Sequence, residues 1–191
     1  MLYTILKNKI IIRVLKFLII FCFFYFGTLA IIGLSAPVGY YSPFVAQHLN
    51  FIGWLRGSLL SGAKLALSLF NYRVYFEDDY VLRIQNGSAI RMVYSCVGYG
   101  IMSFWAAFIL ANTAPETRKL KWLIGGWLMI WCINVIRVCL VLVSNNNNWS
   151  MPSGFDHHTW FNIIAYFFVF VLIYFYDVLE NKLTKPYINS L

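Results

Sequence analysis

Three residues of this chain have chemistry beyond packing, Cys96, Arg137 and His158, and each stands at an informative place relative to an apolar run. Arg137 lies inside an otherwise unbroken apolar stretch, Trp122 to Val143. A guanidinium in hydrocarbon is costly enough to mark a working site by default. It lies six residues from the C-terminal end of that stretch, roughly 9 Å deep at a rise of about 1.5 Å per residue. Cys96 opens a second apolar stretch and His158 opens a third. If the stretches cross a bilayer in alternating directions, a thiol, an imidazole and a guanidinium reach the same leaflet. That set suits acyl transfer through a cysteine: a nucleophile, a proton carrier and a cation for developing negative charge.

Each residue also has a plainer reading. Cys96 sits in Tyr94-Ser95-Cys96-Val97-Gly98-Tyr99-Gly100, where strand gives way to helix. Helix N-terminal amides and a nearby guanidinium both favour a thiolate, whereas an isolated membrane cysteine is an inert apolar side chain. Arg137 alone could snorkel to the interface. Asn134, one turn earlier on the same face, can orient the guanidinium and add donors. His157 and His158 follow Asp156 at the mouth of the last stretch, where an imidazole could simply be an interfacial cap. His158 is preferred because it immediately precedes the helix, with Asn162 one turn below it; His157 is the fallback. Asp156 would hold an imidazole in a chosen tautomer. Adjacent histidines lack the i, i+4 spacing that puts two metal ligands on one helix face, so neither metal nor cofactor is expected. Glu77-Asp78-Asp79 reads as a solvated turn, Asn148-Trp149-Ser150 as a chance acceptor motif in an asparagine-rich loop, and His48 as an interfacial polar residue.

These residues must be positioned by membrane helices. Of 191 residues, 61% are hydrophobic and 12% charged, which excludes an ordinary soluble domain. The net charge of +8 comes from Lys and Arg at the ends of apolar runs, where they anchor topology; nucleic acid is not an expected partner. Cys22, Cys132 and Cys139 fall inside apolar runs, so no disulfide framework is implied. Lys7, Lys9, Arg13 and Lys16 precede an uncharged run too long for the core of a signal peptide.

The chain therefore reads as a single integral membrane domain, residues 1–191, mainly α. Four transmembrane helices are expected at about 17–34, 97–114, 122–143 and 159–176. An amphipathic helix at about 44–71 should lie along or partly in the outer interface. If that helix crossed, the basic loop Arg118-Lys119-Lys121 would face outward, against the positive-inside rule. Alternating β-branched and aromatic runs at about 72–95 predict a small extracytoplasmic three-stranded antiparallel β-meander, with Asn86-Gly87 as a hairpin turn in which both residues tolerate positive φ. Open strand edges cannot sit in lipid, so the meander should be outside the hydrocarbon. Both termini are then cytoplasmic and the reactive residues face outward.

With these blocks in hand, the sequence resembles the exosortase/archaeosortase family of membrane cysteine transpeptidases over roughly its C-terminal two-thirds. Ser95-Cys96-Val97-Gly98 resembles the nucleophile block, Asn134-Val135-Ile136-Arg137 the Asn-x-x-Arg block, and His158 before a final apolar helix the histidine block. Val97 replaces a serine often found after the nucleophile, and Asn162 stands where a glycine often follows the histidine. The resemblance implies an enzyme of the bacterial inner (cytoplasmic) membrane, its site facing the periplasm or outside. It also implies substrate proteins with a C-terminal motif, a transmembrane helix and a basic tail. Such an enzyme would cleave the sorting signal through a thioester and transfer the product to an acceptor, an amine or a lipid. The alternative is a non-catalytic accessory subunit or small transporter in which Arg137 binds an anionic lipid or substrate.

Overall fold

The computed structural model describes residues 9–36, 40–149 and 157–188, and all side chains among them except those of residues 9, 157, 158, 161 and 181–188. It is built from α1 (Lys9–Ser35), a π-helical turn (Val45–Leu49), α2 (Phe51–Leu69), β1 (Val74–Asp78), β2 (Val81–Ile84), β3 (Ala89–Arg91), a 3-10 turn (Tyr94–Cys96), α3 (Tyr99–Ala111), α4 (Glu116–Asn146) and α5 (His157–Ile188).

Aromatic and indole contacts fix the relative directions of the helices. Phe17 and Phe21 of α1 meet Phe104 edge-on, and Tyr25 lies 5.6 Å from Tyr99, so α1 and α3 run antiparallel. The Trp127 indole donates to the Met102 carbonyl at 3.1 Å and the Trp105 indole to the Trp122 carbonyl at 3.0 Å, which makes α3 and α4 antiparallel too. Tyr176 of α5 packs edge-on against Trp122, and Glu180 pairs with Arg118 at 3.6 Å. The chain thus goes up, down, up and down, and the basic N-terminal ends of α1 and α4 share one end of the bundle.

Among the described residues three helical segments are long and apolar enough to cross a membrane: Ile10–Ser35, Glu116–Asn146 and Asn162–Glu180. The fourth expected crossing, 97–114, is represented by α3, which is apolar but only 13 residues long. Val97 and Gly98 are taken up in the turn before it, and Asn112 is already extended, with Pro115 three residues on. At about 1.5 Å per residue α3 spans only about 20 Å. Exposed Ile19, Phe23, Phe26, Phe167 and Phe170 cover the outer surfaces of α1 and α5, as lipid-facing residues do.

The segment expected as an interfacial helix divides in two. After α1 the chain doubles back, with the Ser42 amide on the Leu34 carbonyl at 2.9 Å, and Asn50 then caps α2 by accepting from the Gly53 amide at 2.9 Å. α2 runs alongside α4 in the same direction: Ser58 accepts from the Trp131 indole at 3.0 Å, and Cys139 approaches the Ala63 carbonyl at 3.7 Å. One stripe of α2 is buried, comprising Ile52, Arg56, Leu59, Leu60, Ala63 and Leu67. These apolar residues pack with Val135, Val138 and Leu142 of α4 and with Leu82, Ile84 and Met92 of the sheet in one core.

The three-stranded antiparallel sheet has the expected order, β1-β2-β3. Val74 pairs with Ile84 and Phe76 with Leu82 before the register shifts, and Leu82 pairs with Ile90. The Asn-Gly loop differs from the expected two-residue turn. The Ile84 amide donates to the Ser88 carbonyl, leaving three residues in the loop, and only Asn86 has positive φ, at 57°. Gly87 is needed for space: a Cβ there would lie 2.1 Å from Asn146 Oδ1, which accepts from the Ser88 amide at 3.1 Å. The C-terminal end of α4 is thereby tied to the sheet.

Neighbouring glycines in α4 allow a test of helix packing. A Cβ on Gly126 would lie 2.0 Å from Trp105 Nε1, whereas one on Gly125 meets nothing within 4 Å. Gly126→Ala should destabilise the detergent-solubilised protein by about 1–3 kcal/mol, seen as a lower thermal midpoint, while Gly125→Ala should be neutral or mildly stabilising. Equal midpoints for the two variants would contradict the close α3–α4 approach.

Candidate active site

The site forms where α3 begins. Val93 is extended, and the chain then tightens into the 3-10 turn Tyr94–Cys96, closed by the Cys96 amide on the Val93 carbonyl at 3.0 Å. Gly98 follows with φ 81°, a left-handed conformation that glycine adopts without steric cost, and caps α3. Cys96 therefore ends a turn just ahead of the helix and does not lie within its first turn. A Cβ on Gly98 would also fall 2.5 Å from Asn134 Nδ2, so the position is restricted by space as well as by torsion.

α4 supplies the opposing wall. Asn134 and Arg137 are both buried, 3% and 9% exposed. Arg137 Nη2 lies 3.7 Å from Cys96 Sγ, within the range of an N–H to sulfur contact. Among the described residues no carboxylate lies within ion-pair distance of Arg137. Asn134 was expected to orient the guanidinium; its amide instead donates to the Val97 carbonyl at 3.4 Å, holding the backbone that follows the cysteine. No disulfide joins Cys22, Cys96, Cys132 or Cys139.

A cavity of about 770 Å³, bordered by Arg137 and by Ser95 next to the cysteine, opens between α1, α3, α4 and α5. Ser95, Asn134, Arg137 and Asn162 give it a polar end, and Phe21, Phe104 and Phe170 are among the residues that make the rest apolar. Such a space suits a chain that is polar at the reacting bond and apolar beyond it. A larger groove of about 920 Å³, lined by Phe23, Trp54, Trp127 and Trp131 among others, contains none of the expected site residues.

Of those residues, Cys96, Asn134 and Arg137 come together. His157 and His158 form the first turn of α5, the helix that brings Asn162 to the cavity, but their side chains lie outside the described residues, as does Asp156 altogether. Sequence reasoning passed over Arg56, which is 7% exposed and lies beneath the same turn. Its signal was its place on the apolar stripe of α2, where a solvated arginine does not belong.

The chain matches the transmembrane exosortase family (Exosortase_EpsH) over residues 9–175. It is 32% identical over 92 residues to archaeosortase A of Natronomonas pharaonis, a match covering 44% of this chain and 29% of that protein's length. No solved structure matches. The family match covers most of the chain, including the Cys96 turn and the Arg137 helix, and the bundle has the apolar helices of a multi-pass membrane protein. This chain belongs to the transmembrane exosortase family.

Proposed function

We propose that the protein is a membrane-embedded cysteine transpeptidase that cleaves a C-terminal sorting signal from exported proteins near the outer leaflet of the bacterial inner membrane. The observation that carries this reading is the 3.7 Å contact between Arg137 Nη2 and Cys96 Sγ, made between residues 41 positions apart in a chain of this family. A guanidinium at that distance is placed to offset negative charge that develops during acyl transfer.

In the proposed reaction the Cys96 thiolate attacks the carbonyl carbon of the scissile peptide, forming a C–S bond and an oxyanion. Arg137 balances the negative charge as it moves from sulfur to oxygen. The C–N bond then breaks, and His158, or His157 in its place, gives a proton to the departing amine. A thioester remains. An acceptor amine attacks it and gives a proton back to the imidazole, the C–S bond breaks, and the thiolate is restored; with water as acceptor the outcome is proteolysis. Asn134 contributes by holding the Val97 carbonyl, and Asp156 would orient the imidazole.

The topology proposed for this reaction has four crossings, α3 being the short one, with both termini cytoplasmic and the sheet outside. The clustering of Arg13, Lys16, Arg118, Lys119 and Lys121 at one end of the bundle supports it through the positive-inside rule. The partners are substrate proteins carrying a motif, a transmembrane helix and a basic tail, together with the acceptor.

Two experiments bear on this reading. Cys96→Ala, Cys96→Ser, Arg137→Lys and His158→Ala should each insert normally yet slow processing of a co-expressed tailed substrate by about a hundredfold or more. His157→Ala in parallel identifies the imidazole that acts. Normal processing by Cys96→Ala would end the proposal. Separately, Arg137→Leu should slow alkylation of Cys96 by iodoacetamide about tenfold at neutral pH while leaving Cys22 unaffected. An unchanged Cys96 rate, with Arg137 needed only to bind an anionic lipid, would favour a non-catalytic role.

A further inference from the structure

Arg56 is buried in α2, away from the cavity, and what it touches is all on one side of the nucleophile turn. Its guanidinium carbon lies 3.6 Å from the centroid of the Tyr80 ring and 4.3 Å from that of Tyr94, and Nη2 donates to the Met92 carbonyl. Tyr94 begins the turn that ends at Cys96, and its carbonyl accepts from the Val97 amide at 3.2 Å. Met92 and Tyr80 are themselves joined, the Met92 amide donating to the Tyr80 carbonyl at 2.9 Å. One side chain thus grips the start of β2, the exit of β3 and the first residue of the turn. Among the described residues its Nε has no hydrogen-bond partner. A group held only for stability would more simply be replaced by an apolar one, because burying a cation with an unmet donor is expensive.

We propose that Arg56 is a positioning residue for the Cys96 nucleophile. It acts by clamping Tyr94 between α2 and the sheet so that the sulfur is presented to Arg137. The inference rests on the transpeptidase reading for its kinetic consequence, but the placement of the sulfur can be tested without substrate. The clamp has two separable parts: a planar cation stacked on two rings, and a donor directed at a carbonyl. Lysine keeps the charge and one donor but loses the planar stack, so it should restore part of the function.

The test uses the full-length protein in membranes, with Arg56→Ala, Arg56→Lys, Tyr80→Phe and Tyr80→Leu. Iodoacetamide alkylation of Cys96 is followed by mass spectrometry of its peptide, and processing is followed on a tailed substrate. Arg56→Ala should slow alkylation about fivefold and lower kcat about tenfold, with KM within about twofold of the parent. Arg56→Lys should recover to within about threefold of the parent. In an Arg137→Leu background, Arg56→Ala should change alkylation by less than about twofold, because the contact it protects is already gone. Should Arg56→Ala fail to accumulate, the tyrosine pair carries the question: Tyr80→Phe keeps the ring and should behave as the parent, while Tyr80→Leu should show the same loss of kcat and of alkylation rate.

Parental alkylation and kcat in Arg56→Ala, or in Tyr80→Leu, would overturn the proposal. So would equal loss in Arg56→Ala and Arg56→Lys that tracks the amount of inserted protein. If Cys96→Ala still processes substrate, the transpeptidase reading fails by itself, and the alkylation rates still decide whether Arg56 places the sulfur.

Discussion

A guanidinium removed from water must be met by something, and in this bundle Arg137 is met by sulfur. Isolating a cation in protein costs several kcal/mol even after relaxation and water entry. Among the described residues no carboxylate offsets that cost, whereas Cys96 Sγ lies 3.7 Å away. The contact needs two elements at one depth. α4 brings the arginine on a long helix tied at its C-terminal end to the sheet through Asn146, and α3 starts where the turn from that sheet delivers the cysteine. If α3 began a turn earlier, Gly98 would be helical and the sulfur would swing with the helix face. The left-handed Gly98, packed on Asn134, stops the helix from extending backward.

The two arginines near residues 94–98 are buried in different ways, and the difference separates their roles. Arg56 has neutral partners, two aromatic faces and a carbonyl, and each desolvated cation–π contact contributes on the order of 1 kcal/mol. Its surroundings ask for no anion. Arg137 borders a cavity with a polar end and donates to a thiol, so its surroundings favour a negative charge close by. In the proposed mechanism that charge is first on sulfur and then on the substrate oxygen, which lets one cation serve both states without moving. Arg56, enclosed by two rings and a carbonyl and away from the cavity, is not placed to meet a transition state.

Much of this was legible in the sequence because membrane topology converts spacing into depth. Arg137, counted back from the end of its apolar run, and Cys96, at the start of another, could be placed at one level before any contact was known. The sheet was legible from its alternation and order. Other features depended on partners remote in sequence. Nothing local to Asn134 says that its amide goes to Val97 and not to Arg137, and nothing local to Asn86-Gly87 says that the glycine serves the approach of Asn146. The course of α2 along α4 depends on Ser58 meeting Trp131 and on Ala63 meeting Cys139. Arg56 is hard to single out from the sequence because its burial is created by Tyr80 and Tyr94, which lie on other elements. Residues 97–114 look uniformly apolar, and hydropathy does not show that the first two are spent on a turn.

Residues 92–98 are neither strand nor regular helix, though they adjoin helices of spanning character, and irregular backbone in such a place persists only when its polar groups are met inside the protein. Here five of the carbonyls have partners inside the protein. The Met92 carbonyl takes a donor from Arg56, the Val93 carbonyl takes the Cys96 amide, the Tyr94 carbonyl takes the Val97 amide, the Val97 carbonyl takes the Asn134 amide, and the Gly98 carbonyl takes the Met102 amide. Two of these partners are side chains from α2 and α4, the helices that pack on each other along the Trp131 and Cys139 contacts. The bonds that let an irregular segment exist beside a membrane therefore also fix its position against α4, and with it the distance from sulfur to guanidinium. Satisfying the backbone and aligning the reactive pair are the same structural requirement at this turn. That is why a substitution at Arg56 or Asn134, neither of which needs to touch substrate, acts on the geometry of Cys96.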